Sequence, residues 1–130
     1  MISTPDRLRV LWLIAGWCGV ALVSGYSLVP DPPDLGISQG DKLQHLGAYG
    51  GLMLWFSQVY THRSERRRAA FLLVGMGIAL EFAQALTGYR EPSAADAAAN
   101  AAGVAVGWLA APPRLPNALH LAQSVLNRFR

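Results

Sequence analysis

The stretch Val10–Val29, with the sequence VLWLIAGWCGVALVSGYSLV, decides the fold because none of its twenty residues is charged. As an α-helix it is about 30 Å long, which is the thickness of the hydrocarbon core of a membrane. Arg7 and Arg9 precede it, as basic residues precede the apolar region of a signal peptide. The run is long for the apolar region of a signal peptide and no Ala-x-Ala-like site follows it, so we interpret it as a membrane span. Pro30 and the loop-forming residues 31–40 then end the helix.

Three further apolar runs follow, and charged residues make up only 15% of the chain, which favours a membrane protein. The last run carries Asp96 and Asn100, so by itself it would insert poorly. Gly103 and Gly107, four residues apart, would let this helix approach its neighbours closely. Residues 61–68 are interpreted as a short basic loop. We therefore predict an all-α membrane protein, a four-transmembrane-helix bundle over residues 1–112, with helices at about 8–29, 41–60, 69–87 and 94–111.

Residues 113–130 are predicted to form a basic amphipathic tail on the cytoplasmic side. Apolar residues recur there at helical spacing between arginines, a pattern typical of a helix that lies on a membrane surface. A frayed polar tail fits the same residues, and the sequence leaves both interpretations open. The apolar positions are Leu115, Leu119, Ala122, Leu126 and Phe129, and the arginines are Arg114, Arg128 and Arg130.

The basic residues are divided unequally between the two sides of the predicted bundle. Nine of the eleven lie on the side of the two termini, whereas Lys42 and Arg90 lie on the other side. Because cytoplasmic segments carry the excess of Lys and Arg, both termini are predicted to be cytoplasmic. Topology thereby accounts for the net charge of +3, and no nucleic-acid partner is predicted.

With that orientation, the polar side chains of the spans gather at the outer end of the bundle. Asp41, His45 and Tyr49 are spaced four residues apart, so they share one face of the second helix. Glu81 lies about 8 Å inside its span, where an unpaired carboxylate is costly, so it should be paired, protonated or ligated. The other polar members on or beside the spans are Lys42, Gln84, Arg90, Asp96 and Asn100.

These residues form an ordered motif along the chain. It reads Asp41-Lys42-x-x-His45-x-x-x-Tyr49, then Glu81-x-x-Gln84, then Arg90-x5-Asp96-x-x-x-Asn100-x-x-Gly103-x-x-x-Gly107. Over about residues 25–110 the order and spacing resemble the VanZ-like family. The resemblance implies a small multi-span protein of the bacterial cytoplasmic membrane, and the family's founding member is associated with resistance to the glycopeptide teicoplanin. The matching polar positions are the candidate ligand-binding residues.

Three functions remain open for this cluster, of which binding is favoured over catalysis. The first is binding of an anionic headgroup, from a membrane lipid or a lipid-linked cell-wall precursor, with Lys42 and Arg90 holding phosphate. The second is an enzyme acting on such a lipid, with His45 as general base oriented by Asp41 or Glu81. The third is an accessory subunit whose polar network only fixes helix packing, and the small-residue helix faces also permit a homo-oligomer. No cofactor is predicted, and the alternative of a divalent metal would use Asp41, His45, Glu81 and Asp96.

Overall fold

The computed structural model describes residues 4–30, 36 and 40–129, and these residues form five α-helices without a β-strand. The all-α class is therefore confirmed. The predicted loop over residues 31–40 lies largely outside the described residues, as does Arg130 of the tail. The helices are α1 (Thr4–Ser27), α2 (Gly40–Val59), α3 (Arg63–Thr87), α4 (Ala94–Ala110) and α5 (Ala118–Arg128).

The segment 61–68 is largely helical, so its prediction as a loop is wrong. Helix α3 begins at Arg63, and the backbone amide of His62 donates to the Glu65 carboxylate at 3.3 Å. That bond is one half of a capping box, which satisfies an amide at the start of a helix. Arginine is also a good helix former. The charges that end the apolar run therefore do not end the helix.

Two of the helices are long and apolar enough to cross a membrane, rather than the four that the sequence predicted. They are α1 over Arg7–Ser27 and α3 over Arg63–Thr87. Helix α2 contains Lys42, Gln44 and His45, which lower its mean hydropathy. Helix α4 has 17 residues and is about 25 Å long, which is shorter than a hydrocarbon core of about 30 Å.

Helices α2 and α4 approach each other closely at their glycines. A methyl group added at Gly103 would collide with the carbonyl of Leu46, and one added at Gly107 would collide with the carbonyl of Gly50. The contacts advance in the same direction along both helices, so α2 and α4 are parallel. Such backbone contact is what a Gly-x-x-x-Gly pair permits.

Helix α1 runs parallel to α3 and opposite to α2. Ser24 Oγ lies 3.7 Å from Met76 Sδ. Farther along both helices, the carbonyl of Ser27 accepts from Gln84 Nε2 at 2.7 Å. Trp55 of α2 stacks on Trp12 near the start of α1, with ring centroids 4.3 Å apart. The four helices thus alternate in direction. We call the end that holds Ser27, Gly40, Thr87 and Ala94 the polar end, and the opposite end the basic end.

Helix α5 is attached to the basic end, so the interpretation of residues 118–128 as a frayed tail is wrong. The backbone amide of Ala118 donates to Gln58 Oε1 at 2.8 Å, and Asn117 Nδ2 donates to the Gln58 carbonyl at 2.9 Å. Leu119 is buried against the bundle. The rest of its apolar side remains exposed and consists of Leu121, Val125, Leu126 and Phe129.

Arg66 connects three parts of the basic end. Its guanidinium donates to the carbonyl of Tyr60 at 2.7 Å, to that of Ser57 at 3.0 Å and to that of Pro112 at 2.6 Å. Ser57 lies in the last turn of α2, where a helix leaves its last acceptors unpaired, Tyr60 directly follows that helix, and Pro112 follows α4. One side chain thereby joins the C-terminal ends of two parallel helices.

Candidate functional site

Helical register stacks three layers of side chains at the centre of the polar end. Ligand atoms of His45, Glu81 and Asp96 all lie within 4.8 Å of one another. One turn deeper, the Cα of Gly77 faces both the Asn100 side chain and the Tyr49 ring. One further turn deeper the layer is apolar. The layers are His45, Glu81 and Asp96, then Tyr49, Gly77 and Asn100, then Met53, Leu73 and Val104 of α2, α3 and α4.

His45 is held by a hydrogen bond that fixes the orientation of its ring. Its Nδ1 lies 2.9 Å from Asn100 Oδ1, and its Nε2 lies 4.0 Å from Asp96 Oδ2. Because an amide oxygen accepts, we place the proton on Nδ1, which leaves Nε2 facing the carboxylate. The side chains of His45 and Asp96 are only 13% and 11% exposed. The ring therefore directs Nε2 toward a largely buried carboxylate.

Ser93 connects the Glu81 carboxylate to the first turn of α4, and the sequence prediction missed it. Its backbone amide donates to Glu81 Oε2 at 2.9 Å, and its Oγ accepts from the amide of Asp96 at 3.2 Å. Ser93 thus caps α4 while it holds the buried Glu81, which is 7% exposed. The signal for it was the Ser-x-x-Asp pattern before an apolar run, which is typical of a helix start.

Lys42 is paired with two carboxylates. Its Nζ lies 2.9 Å from Asp41 Oδ2 and 3.1 Å from Asp96 Oδ1. Asp41 and Lys42 remain 54% and 34% exposed, so solvent screens their pair and its contribution to stability is small. Lys42 is therefore occupied by carboxylates, and the sequence prediction that it holds phosphate has no support in these contacts.

Gln84 and Arg90 bind the end of α1 and do not join the carboxylates. Gln84 Nε2 and an Arg90 guanidinium nitrogen donate to the carbonyl of Ser27 at 2.7 Å and 3.0 Å. The neighbouring Tyr89 hydroxyl donates to the carbonyl of Leu28 at 2.7 Å. These carbonyls lie at a helix C-terminus, where acceptors have no partner within the helix. No residue pattern could reveal these acceptors, because every residue carries a carbonyl.

A cavity of about 520 Å³ opens between α1 and α2 beside this network. Asp41, His45 and Tyr49, the face identified from the sequence, line one wall. Arg90 lies at the polar end, and Leu22, Val23 and Ala48 form an apolar wall. The cavity thus combines a cationic group with an apolar surface. Tyr26, Ser27 and Gln44 complete it and were not predicted.

The Tyr49 hydroxyl is the unsatisfied group of this region. The residue is 1% exposed, and its oxygen has no hydrogen-bond partner among the residues that the structure describes. It lies one turn below His45 and close enough to Glu81 to be affected by the charge of that carboxylate. A buried hydroxyl without a partner is uncommon and costly.

The structure thus divides the predicted residues into three groups. Asp41, Lys42, His45, Glu81, Asp96 and Asn100 form one connected network with Tyr49 beneath it, whereas Gln84 and Arg90 fasten α1, and Gly103 and Gly107 face the α2 backbone. Comparison with family models, with curated proteins and with solved structures gave no match. A function must therefore follow from the network and the cavity themselves.

Proposed function

We propose that the protein is a multi-span protein of the bacterial cytoplasmic membrane, related to the VanZ-like family, that binds an anionic amphiphile in the cavity between α1 and α2. The observation that carries the proposal is the pairing in one cavity of Arg90 with an apolar wall. A membrane lipid or a lipid-linked cell-wall precursor has both parts: a phosphate headgroup and a hydrocarbon chain. The role is binding rather than catalysis.

Exposed apolar side chains support a membrane location. Five large apolar residues on α1 and α3 are at least 69% exposed, which in water would be an extensive apolar surface. The polar groups of α2 and α4 point at one another, as expected of helices that cross a bilayer with polar faces inward. All four helices alternate in direction, so α2 and α4 would cross with α1 and α3. The exposed residues are Leu22, Phe71, Leu72, Phe82 and Leu86.

The charge distribution supports an orientation with both termini in the cytoplasm. The basic end holds the arginines of segment 63–68 and of α5, whereas Lys42 and Arg90 are the basic residues of the polar end. By the positive-inside rule the basic end is cytoplasmic, and the cavity opens toward the outer leaflet. Helix α5 would lie on the inner surface with its exposed apolar side in the headgroup region.

Cysteine labelling tests this orientation. In a Cys18→Ala background, a membrane-impermeant maleimide is expected to label Glu91→Cys in intact cells, because residue 91 lies at the polar end. Thr61→Cys, at the basic end, is expected to react only after the cells are lysed. The reverse pattern would contradict the proposed topology, and the matched pair controls for reagent access.

Lipid binding tests the function. With the full chain in detergent, we expect short-chain phosphatidylglycerol and farnesyl diphosphate to bind more tightly than phosphatidylcholine. Arg90→Gln should weaken binding of both anionic ligands about tenfold, because it removes one charge-assisted hydrogen bond of about 1.5 kcal/mol. Ala48→Phe should weaken binding by filling the apolar part of the cavity while leaving Arg90 intact.

The control is Arg63→Gln, which removes one exposed arginine at the opposite end and should leave affinity unchanged. Thermal unfolding of each variant separates loss of binding from loss of fold, which matters because Arg90 also bonds to Ser27. Equal affinity for anionic and zwitterionic ligands, or no binding by the folded wild-type chain, would favour a network that serves packing alone.

A further inference from the structure

We infer that His45, Glu81 and Asp96 form a binding site for a divalent transition-metal cation such as Zn²⁺ or Mn²⁺. Their ligand atoms lie within 4.8 Å of one another, and they come from three different helices. One imidazole nitrogen with two carboxylate oxygens is a donor set that these cations accept. Bound ligand atoms lie about 3.3 Å apart around a tetrahedral ion, so the side chains need to draw together by only about 1.5 Å.

The surroundings of His45 match those of a metal-ligating histidine. Such a residue donates its second ring N–H to a carbonyl or carboxylate, which aims the other nitrogen at the ion. Here Nδ1 contacts Asn100 Oδ1 at 2.9 Å, and Nε2 is the atom turned toward Asp96. The carboxylates are held in the same way, Glu81 by the Ser93 amide and Asp96 by Lys42. Each ligand therefore has a partner that orients it.

The Tyr49 hydroxyl is an independent indication of an occupant. It is nearly fully buried, lies one turn below His45 on the same face, and has no hydrogen-bond partner within the described part of the chain. Water held by a bound cation would accept from this hydroxyl, which the described side chains leave without a partner. The three ligands and the unsatisfied hydroxyl thus converge on one place in the fold.

The balance of charge in this region also favours a bound cation. The polar network and Arg90 contain three acidic groups, Asp41, Glu81 and Asp96, against the two bases Lys42 and Arg90. Two of these acidic groups, Glu81 and Asp96, are largely buried, where a negative charge is costly unless it is compensated. A divalent cation would reverse the sign of the excess and leave the region attractive to an anion. The site does not depend on the proposed lipid function, because it is defined by metal binding alone.

Metal titration of the full chain without an affinity tag tests the inference. After removal of metals with a chelator, Zn²⁺, Mn²⁺ or Co²⁺ is added to the detergent-solubilised protein and bound metal is measured by equilibrium dialysis. We expect one ion per chain, a Co²⁺ absorption spectrum typical of nitrogen and oxygen ligands, and a rise of Tm with Zn²⁺. His45→Ala and Glu81→Gln should each weaken affinity by more than the roughly 10–100-fold that loss of an outer partner costs, and Asn100→Leu by an amount within that range.

Controls remove an exposed histidine or an exposed acid elsewhere. His120→Ala and Glu91→Gln should retain full stoichiometry, because neither residue lies in the cluster. Failure of the folded wild-type chain to bind any of Zn²⁺, Mn²⁺ or Co²⁺ would overturn the inference even if the variants do not fold. Unchanged affinity in folded His45→Ala would also overturn it, by assigning the metal to another place. None of these measurements uses a lipid, so their failure is distinct from failure of the proposed function.

Discussion

Replacement of Gly103 by leucine is expected to prevent the bundle from folding. A Cβ atom at this position would lie 3.0 Å from both the Cα and the carbonyl carbon of Leu46, and closer still to the carbonyl oxygen. These are backbone atoms of α2, so they cannot move aside as a side-chain tip would. Overpacking of a core costs about 1–3 kcal/mol where side chains can adjust, and more where they cannot. The measurement is the free energy of unfolding in detergent, followed by circular dichroism.

The matched control is Gly47→Leu. It introduces the same side chain on α2, where a Cβ would meet no atom within 4 Å. Gly103→Ala gives a graded test, with an expected loss of about 2 kcal/mol, whereas Gly47→Ala should be neutral or stabilising because alanine is the better helix former. Equal stability of Gly103→Leu and Gly47→Leu would show that α2 and α4 do not approach as described.

The polar network depends on this contact. Gly103 and Gly107 share their stripe of α4 with Asp96 and Asn100, and the same close approach brings Asn100 within 2.9 Å of His45. If α4 moved away by the width of a methyl group, the His45–Asn100 hydrogen bond and the three-residue cluster would open. If the Gly103→Ala variant still folds, Zn²⁺ should therefore raise its Tm less than it raises the Tm of the wild-type chain. The difference should be larger than the loss of stability in Gly103→Ala explains by itself.

The sequence predicted the helices well where apolar runs define them and less well where charge interrupts them. The end of α3 at Thr87 and the start of α4 at Ala94 were predicted correctly, since Gly88 and Pro92 mark the turn between these helices. The start of α3 was predicted six residues late because a hydropathy pattern measures the tendency to enter a membrane and not the tendency to form a helix. A charged, capped segment continues the helix beyond the apolar run.

The candidate site was predictable within each helix and not between helices. Spacing by four residues places Asp41, His45 and Tyr49 on one face, and all three line the cavity. Which partner each side chain meets depends on the axial register of neighbouring helices, which spacing along one helix does not define. Lys42 and Arg90 are equivalent as charges in the sequence, yet one pairs with two carboxylates and the other with a backbone carbonyl.

Arg66 differs from the neighbouring arginines, and its replacement by alanine is expected to destabilise the protein by about 3 kcal/mol. Three partly buried carbonyls, of Ser57, Tyr60 and Pro112, would lose their donor. Leaving such groups unpaired costs about 1–3 kcal/mol each, reduced where water can replace the lost partner. Arg67→Ala, which removes an exposed arginine in the next position, should change stability by less than about 0.5 kcal/mol. Unfolding in detergent measures both variants.

Arg66→Lys separates a structural role from a topological one. Lysine keeps the positive charge that the positive-inside rule counts, so insertion and orientation should not change. Its ammonium group is a single point donor and cannot reach three carbonyls on two helices as a planar guanidinium does. Arg66→Lys should therefore lose more than about half of the stability that Arg66→Ala loses. Two results would contradict this prediction: full stability of Arg66→Lys, or a loss in Arg67→Ala equal to that in Arg66→Ala. Either would mean that Arg66 acts through its charge alone and that its hydrogen bonds between the ends of α2 and α4 do not stabilise the protein.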